Sequence, residues 1–183
     1  MKIRLSGERY EEIKQIITNL FIECKISCVP ISGFEIATKL GVKVIPYSSI
    51  PLKNRYLLHK KSEDGFSIEK TKGEWYIYYN DEKGYGRVNN TIMHEIGHIV
   101  LDHSEESQLA EKEVNFFAKY ALAPPPLIHK LELDSAIDIA TRFEISYEAA
   151  GYALSYYNKW LRYGESDFTN YELCILNLFK DVI

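Results

Sequence analysis

The sequence predicts an α+β fold that is mainly helical, with a small antiparallel sheet and a helix-turn-helix-like region towards the C-terminal end. Apolar residues return every three or four positions over most of the chain, which is typical of amphipathic helices. Only residues 42–45 and 66–80 are instead rich in β-branched or aromatic residues bounded by turn residues. A length of 183 residues, with 46% hydrophobic and 26% charged residues, fits one core-forming unit of ordinary size.

The predicted helices follow this spacing and the residues that begin or end each segment. Ser6 is a favourable N-cap before the first helix, Gly41 ends the second, and Ser146 is an N-cap candidate in the C-terminal third. The predicted helical segments are 10–24, 34–40, 89–102, 107–122, 135–143, 147–162 and 170–181.

The predicted sheet comes from a strand over residues 42–45 and from a β-hairpin whose strands span residues 66–70 and 74–80. Residues 51–63 are basic and are predicted to be irregular. Three consecutive prolines that start at Pro124 are predicted to stop the helix before them, because proline cannot continue a helical hydrogen-bond ladder.

Charge and hydropathy disfavour several classes of protein. The net charge of -4 provides no global positive field for a polyanion, so a dedicated DNA-binding protein is disfavoured. No stretch approaches the roughly 18 consecutive apolar residues that a membrane span needs. Residues 1–9 lack the apolar run of a signal peptide. We therefore expect a cytoplasmic protein without a membrane partner.

The sharpest functional signal is the pattern His-Glu-x-x-His at residues 94–98. Residues four apart lie one above the other on a helix, so His94 and His98 present their imidazoles to one point, as a tetrahedral Zn²⁺ requires. Glu95 is offset by about 100° around the helix. It therefore suits a base that accepts a proton from an attacking water better than it suits a ligand.

A catalytic zinc site needs a third protein ligand. His103 is one option, but the glycine that turns the chain before the third histidine of metzincins is absent. If two antiparallel helices meet at a bend over residues 104–107, Glu113 lies level with His98. Glu111 is a near competitor that points roughly 200° away around the helix. Periodicity alone does not choose between the two glutamates.

Two motifs together resemble the ImmA/IrrE family of metallo-endopeptidases. In that family a His-Glu-x-Gly-His helix precedes a segment of the form Glu-(Ala)-Asn-x-Phe-Ala followed by Leu-x-Pro. The chain has Glu111-Lys112-Glu113-Val114-Asn115-Phe116-Phe117-Ala118 and then Ala121-Leu122-Ala123-Pro124. The resemblance spans roughly residues 34–155 and implies that Glu113 is the third ligand. It also implies Zn²⁺ as the cofactor, with Mn²⁺ as the alternative ion.

The same resemblance implies a zincin-like metalloprotease core, which we assign to residues 1–130, followed by a C-terminal helical region over residues 131–183 packed on that core. It implies a protein substrate as well, namely a helix-turn-helix transcriptional repressor that is cleaved to relieve repression. Residues 136–150 of this chain form a predicted helix, three-residue turn and helix. Acidic residues outnumber basic ones around this unit, which favours packing or protein docking over DNA contact.

Several residues are candidates for assisting the site. His103 and the tyrosines of residues 76–79, such as Tyr78, are candidates to stabilise an oxyanion, and His103 is alternatively a supporting or surface imidazole. Asp102 is a candidate to accept the second N–H of His98, with an exposed carboxylate at the helix end as the alternative. Residues 75–79 form either a core strand or an edge strand to which an extended substrate adds.

The leading prediction is a zinc-dependent endopeptidase that does not contact DNA directly. Two alternatives stay open: a non-catalytic, metal-containing module that binds a repressor or resembles an antitoxin, and a DNA-binding regulator that uses residues 136–160. Glu95 argues against the first alternative, because a structural metal site has no use for a base. The acidic charge balance argues against the second.

Overall fold

The computed structural model describes residues 4–103, 105, 107–164 and 167–183. Its helices, numbered α1 to α9 in chain order, are Gly7–Glu23, Gly33–Lys39, Leu52–Lys61, Tyr85–Val100, Gln108–Leu122, Pro125–Lys130, Ala136–Phe143, Tyr147–Tyr163 and Asn170–Leu178. The strands β1, β2 and β3 are Lys43–Pro46, Gly65–Thr71 and Glu74–Tyr79. The predicted α+β class is confirmed. Within the described residues, each helix is too short or too polar to traverse a bilayer.

The sheet is mixed, which corrects the expectation of an antiparallel one. Its strand order is β1-β3-β2. The hairpin places β2 antiparallel to β3, with Ser67 opposite Ile77, whereas β1 lies on the other side of β3 and runs parallel to it. Because β3 is paired on both sides, the aromatic strand over residues 75–79 is a central strand rather than an edge. The free edge of the hairpin belongs to β2.

Two segments differ from their predicted structure. Residues 52–61 form α3 instead of an irregular segment, and none of the residues of α3 is buried. The helix has no apolar face that a sequence pattern could reveal, and Arg55 anchors it by donating a 2.8 Å bond to the Ile50 carbonyl. The prolines do stop the helix before them, since α5 ends at Leu122, but Pro125 and Pro126 also begin the unpredicted helix α6, because the first turn of a helix tolerates the missing N–H.

Helix α4 lies at the centre of the fold and packs against α2, α5, β2 and β3. Its buried face includes Ile92 and Ile96, which belong to one continuous apolar core with residues of α1, α5, α7 and α9. The last helices therefore share this core through side chains such as Phe143 and Phe179. The division of the chain at residue 130 stays a prediction.

Gly97 sets the close approach between α4 and α5. A Cβ atom at this position would lie 3.1 Å from Cδ1 of Phe117 and 3.3 Å from Cβ of Val114. The missing side chain lets α5 pack directly against the helix that carries the His-Glu-x-x-His pattern. The first turn of α5 consequently lies beside the two histidines.

Asn89 ties α4 to the start of α2 and generates a stability prediction. It is fully buried, its Oδ1 accepts a 2.7 Å bond from the Gly33 N–H, and its Nδ2 donates a 2.9 Å bond to the Ile31 carbonyl. We expect Asn89→Ala to lower the free energy of unfolding by about 2–4 kcal/mol, because two buried backbone groups lose their partners. Urea denaturation measures the change, and Asn90→Ala at the less buried neighbouring position is the control. Equal, small losses in both variants would contradict this role.

Candidate metal centre

Two histidines of α4 and one glutamate of α5 converge on a single point. Nε2 of His98 lies 3.2 Å from Oε1 of Glu111, and Nε2 of His94 lies 3.6 Å from Oε2 of the same carboxylate. One potential ligand atom from each residue lies within 4.8 Å of the others. The predicted geometry of one helical turn between His94 and His98 accounts for two of the three positions.

These residues fit a divalent metal ion. Two ligand atoms that both bind one tetrahedral zinc at about 2.0–2.1 Å are separated by about 3.3–3.4 Å. The two contacts between imidazole nitrogens and carboxylate oxygens, at 3.2 and 3.6 Å, bracket that separation. Burial lowers the pKa of His94, which favours the neutral imidazole that a metal requires. The site accordingly offers two imidazole nitrogens and a carboxylate that could hold a cation.

The structure does not bring Glu113 to this point, in contrast to the expected geometry. Oε1 and Oε2 of Glu113 accept bonds of 2.9 and 2.7 Å from the guanidinium of Arg9, and Oε2 lies 3.0 Å from Nε2 of His103. The hydrogen bonds from Arg9 hold the pKa of Glu113 below its ordinary value. The predicted role of Glu113 as the third ligand stays a prediction, and the geometry favours Glu111.

The helix ends explain this difference in register. His98 lies two residues before the end of α4, and position 110 lies two residues after the start of α5, so the facing turn contains Glu111 rather than Glu113. The predicted bend over residues 104–107 lies partly outside the described residues. The predicted bend was centred later in the chain than the actual gap between α4 and α5. Counting outwards from it therefore gave Glu113, a position too far along α5.

His103 lies next to His98 and is not one of the three converging residues. Its Nδ1 lies 3.2 Å from Nδ1 of His98, and its Nε2 faces Glu113, so both ring nitrogens are engaged. Asp102 adopts a left-handed backbone conformation with φ of 54° and is exposed at the end of α4. Asp102 thus has the exposed position that was given as the alternative, and Nδ1 of His98 lies next to His103.

Glu95 lies beside the two histidines and is held by the sheet. Only 8% of its surface is exposed, and its Oε2 accepts bonds of 2.8 and 2.7 Å from the N–H and the hydroxyl of Ser67 in β2. Side chains alternate along β3, so Tyr78 lies on the face opposite to the buried Ile77 and stacks on Phe66. This places Tyr78 away from α4.

Sequence reasoning missed two residues that contact the site, Arg9 and Ser67. The signal for Arg9 was weak, because the helix dipole only mildly disfavours a cation in the first turn and Glu12 of the same helix already pairs with it. Ser67 carried no comparable signal, since its contact depends on how β2 lies against α4. Both contacts join segments that are distant in the sequence.

Two imidazoles and a carboxylate that can hold a metal, with a buried glutamate beside them, define a site of the metallopeptidase class. The family model of the IrrE N-terminal-like domain, peptidase family M78, matches residues 37–155, and the chain belongs to this family. The match confirms the resemblance to the ImmA/IrrE family. A comparison with curated proteins found no match.

The choice between the two glutamates can be measured by metal content. We expect Glu111→Ala to lose stoichiometric zinc, because the variant removes a group whose oxygens face both Nε2 atoms. We expect Glu113→Ala to keep the metal with weaker affinity, since it removes a supporting contact worth about 10–100-fold. Atomic absorption after dialysis against a weak chelator measures the content. Loss of zinc in Glu113→Ala alone would reverse the assignment.

Proposed function

We propose that this chain is a zinc-dependent endopeptidase that cleaves a partner protein, and that the partner is a helix-turn-helix transcriptional repressor. The observation that carries the proposal is the convergence of His94, His98 and Glu111 beside the buried carboxylate of Glu95. Membership of the peptidase family supports the reaction class. The repressor substrate is supported by the resemblance to the ImmA/IrrE family.

In this proposal His94 and His98, whose Nε2 atoms face the Glu111 carboxylate, would hold the ion together with that carboxylate. A bound divalent ion supplies Lewis acidity that polarises a peptide carbonyl and makes an attacking water more acidic. Zn²⁺ suits two imidazoles and one carboxylate, and Mn²⁺ is the alternative ion.

Glu95 is the proposed general base. Both bonds from Ser67 reach Oε2, so we assign Oε1 as the oxygen that accepts the proton of the attacking water. The two bonds fix the position of Oε2 before the substrate arrives, which contributes to the positioning that proton transfer requires. The same oxygen then delivers the proton to the amine that leaves.

The edge of β2 is the proposed place for an extended substrate segment. The N–H of Ser67 points to Glu95 and that of Gly65 donates to Ser62, so both N–H groups face away from β3. A peptide that lies along this side of β2 passes next to Glu95. Because these two N–H groups already have partners within the chain, main-chain pairing with the peptide would use the outward carbonyl groups of the same residues.

The remaining expectations stay predictions. These are the absence of DNA contact through residues 136–160, the cytoplasmic location, and the boundary between a core and a C-terminal helical region. Ile137 and Tyr147 are both about two-thirds exposed on α7 and α8, which supports a protein-docking role for this helix pair.

Glu95→Gln tests the proposal. The amide oxygen of glutamine can still accept both bonds from Ser67, but the side chain cannot accept a proton. With a purified helix-turn-helix repressor encoded beside the chain as the substrate, we expect the cleavage rate to fall by about 10²–10⁴-fold while zinc content and repressor binding are kept. Fragment analysis by mass spectrometry measures the rate.

Glu23→Gln, an exposed position at the end of α1, is the matched control and should cleave at the wild-type rate. Unchanged cleavage in Glu95→Gln would remove Glu95 from the mechanism. Repressor binding by a zinc-loaded wild-type chain that never cuts would instead favour the non-catalytic binding module.

A further inference from the structure

Four side chains form a continuous hydrogen-bonded row that starts on α1 and ends at the metal centre. Arg9 donates to both oxygens of Glu113, at 2.9 and 2.7 Å. Glu113 faces Nε2 of His103 at 3.0 Å, and Nδ1 of His103 faces Nδ1 of His98 at 3.2 Å. Nε2 of His98 then points to Glu111. We call these residues, Arg9, Glu113, His103 and His98, the support row.

For two neutral imidazoles, the donors and acceptors of the support row fit a single arrangement. A carboxylate that is paired with a guanidinium can only accept, so Nε2 of His103 must donate to Glu113. A neutral His103 then has a lone pair on Nδ1, and Nδ1 of His98 must carry the proton between the two rings. This leaves Nε2 of His98 without a proton and directed towards Glu111. That tautomer is the one that can bind a metal through Nε2.

We infer that Arg9 is a positioning residue for the metal centre, which fixes the tautomer and orientation of His98 through Glu113 and His103. The inference rests on the proposed metal site and adds a role for α1. Helix α1 lies before residue 37 and so outside the residues that match the family. The matched residues therefore do not contain the group that anchors the row.

The way α1 is attached supports a fixed position for Arg9. Ser6 caps the helix by accepting a 3.1 Å bond from the Arg9 N–H. The next residue, Tyr10, packs edge-on against Phe116, with 4.6 Å between ring centroids. Phe116 lies one turn after Glu113 on α5, so the aromatic contact sets the register in which Arg9 meets Glu113.

The burial of Glu113 explains why the row needs Arg9. The side chain of Glu113 is only 8% exposed, and a carboxylate that is removed from water requires a paired cation and satisfied hydrogen bonds. Without Arg9, the nearest partner of the buried Glu113 carboxylate is His103. The His103 ring, which the carboxylate now orients, would then have to compensate the carboxylate charge alone. The bidentate geometry also fixes the carboxylate plane, which a single point charge would not do.

Arg9→Met tests the inference, because methionine keeps an unbranched apolar stem and removes the guanidinium. Competition with a chromophoric chelator gives the dissociation constant for Zn²⁺ alone. We expect this constant to rise by about 10–100-fold, the usual effect of losing an outer partner of a metal-binding histidine. Arg9→Lys should give a smaller rise, since lysine restores the charge without the two-pronged geometry.

Glu12→Gln is the matched control. It removes the other ion pair of Arg9, which lies on the exposed side of α1, and leaves the bonds to Glu113 in place. Zinc affinity should equal that of the wild type. The pair of Arg9 with Glu12, at 2.9 Å, stabilises α1. If Arg9→Met acted only by destabilising α1, Glu12→Gln would lower zinc affinity as well.

A second readout does not depend on the metal. The measurement uses the metal-free Glu111→Ala background, because the Glu111 carboxylate, 3.2 Å from Nε2 of His98, would otherwise draw a proton to that nitrogen. In mildly alkaline buffer, the imidazole ¹⁵N shifts should place the proton of His98 on Nδ1 and that of His103 on Nε2. In Arg9→Met both rings should show mixed tautomers. Glu113→Gln should behave in the same way, because an amide can donate to His103 and reverse its tautomer.

The two readouts separate failure of this inference from failure of the proposed function. Zinc binding that is equal in the wild type and in Arg9→Met, with unchanged tautomers, would overturn the role of Arg9 and leave the peptidase proposal standing. A wild-type chain that binds no zinc would overturn the metal site. The tautomer measurement needs no metal, so it would still decide whether Arg9 orients His103 and His98.

Discussion

The contact between α4 and α5 at Gly97 is the constraint on which the site depends. Glycine in a helix interior costs about 1 kcal/mol relative to alanine, so its use here needs a compensating gain. The gain is the close packing of Phe117 and Val114 against the α4 backbone, where a Cβ would lie at 3.1–3.3 Å. This packing holds Glu111 near the histidines of α4, and a wider spacing between the helices would separate the carboxylate from both Nε2 atoms.

Most of the fold could be predicted because its helices bury apolar faces that repeat at helical spacing. The exceptions have local physical causes. Helix α3 buries no residue, so it leaves no periodic pattern, and its anchoring by Arg55 to backbone carbonyls is invisible in a hydropathy profile. The prolines of α6 are compatible with either the end of one helix or the start of the next, and only the chain path decides between them.

The candidate site likewise has one part that could be predicted from the sequence and another that could not. The spacing of His94 and His98 is a property of one helix, and it could be predicted without knowledge of the rest of the fold. The identity of the third ligand, a carboxylate, depends on the register between two helices. The sequence does not determine that register, because the shape of the connection between the helices is unknown. The contact of Ser67 with Glu95 depends on how a strand lies against a helix, and the ion pair of Arg9 with Glu113 joins residues 104 positions apart. Such contacts are set by tertiary packing rather than by local pattern.

The two glutamates of the Glu-Lys-Glu segment differ in a way that bears on their roles. The side chain of Glu111 is about half exposed, at 49%, so its charge is stabilised by water before any cation binds. Glu113 is buried, and its charge is already balanced by Arg9. The bonds from Arg9 and the contact with His103 hold the Glu113 carboxylate outside the cluster of converging ligand atoms, so Glu113 would have to leave these partners to join His94 and His98. The ion pair that stabilises Glu113 thus disfavours it as a ligand and suits it to orient His103.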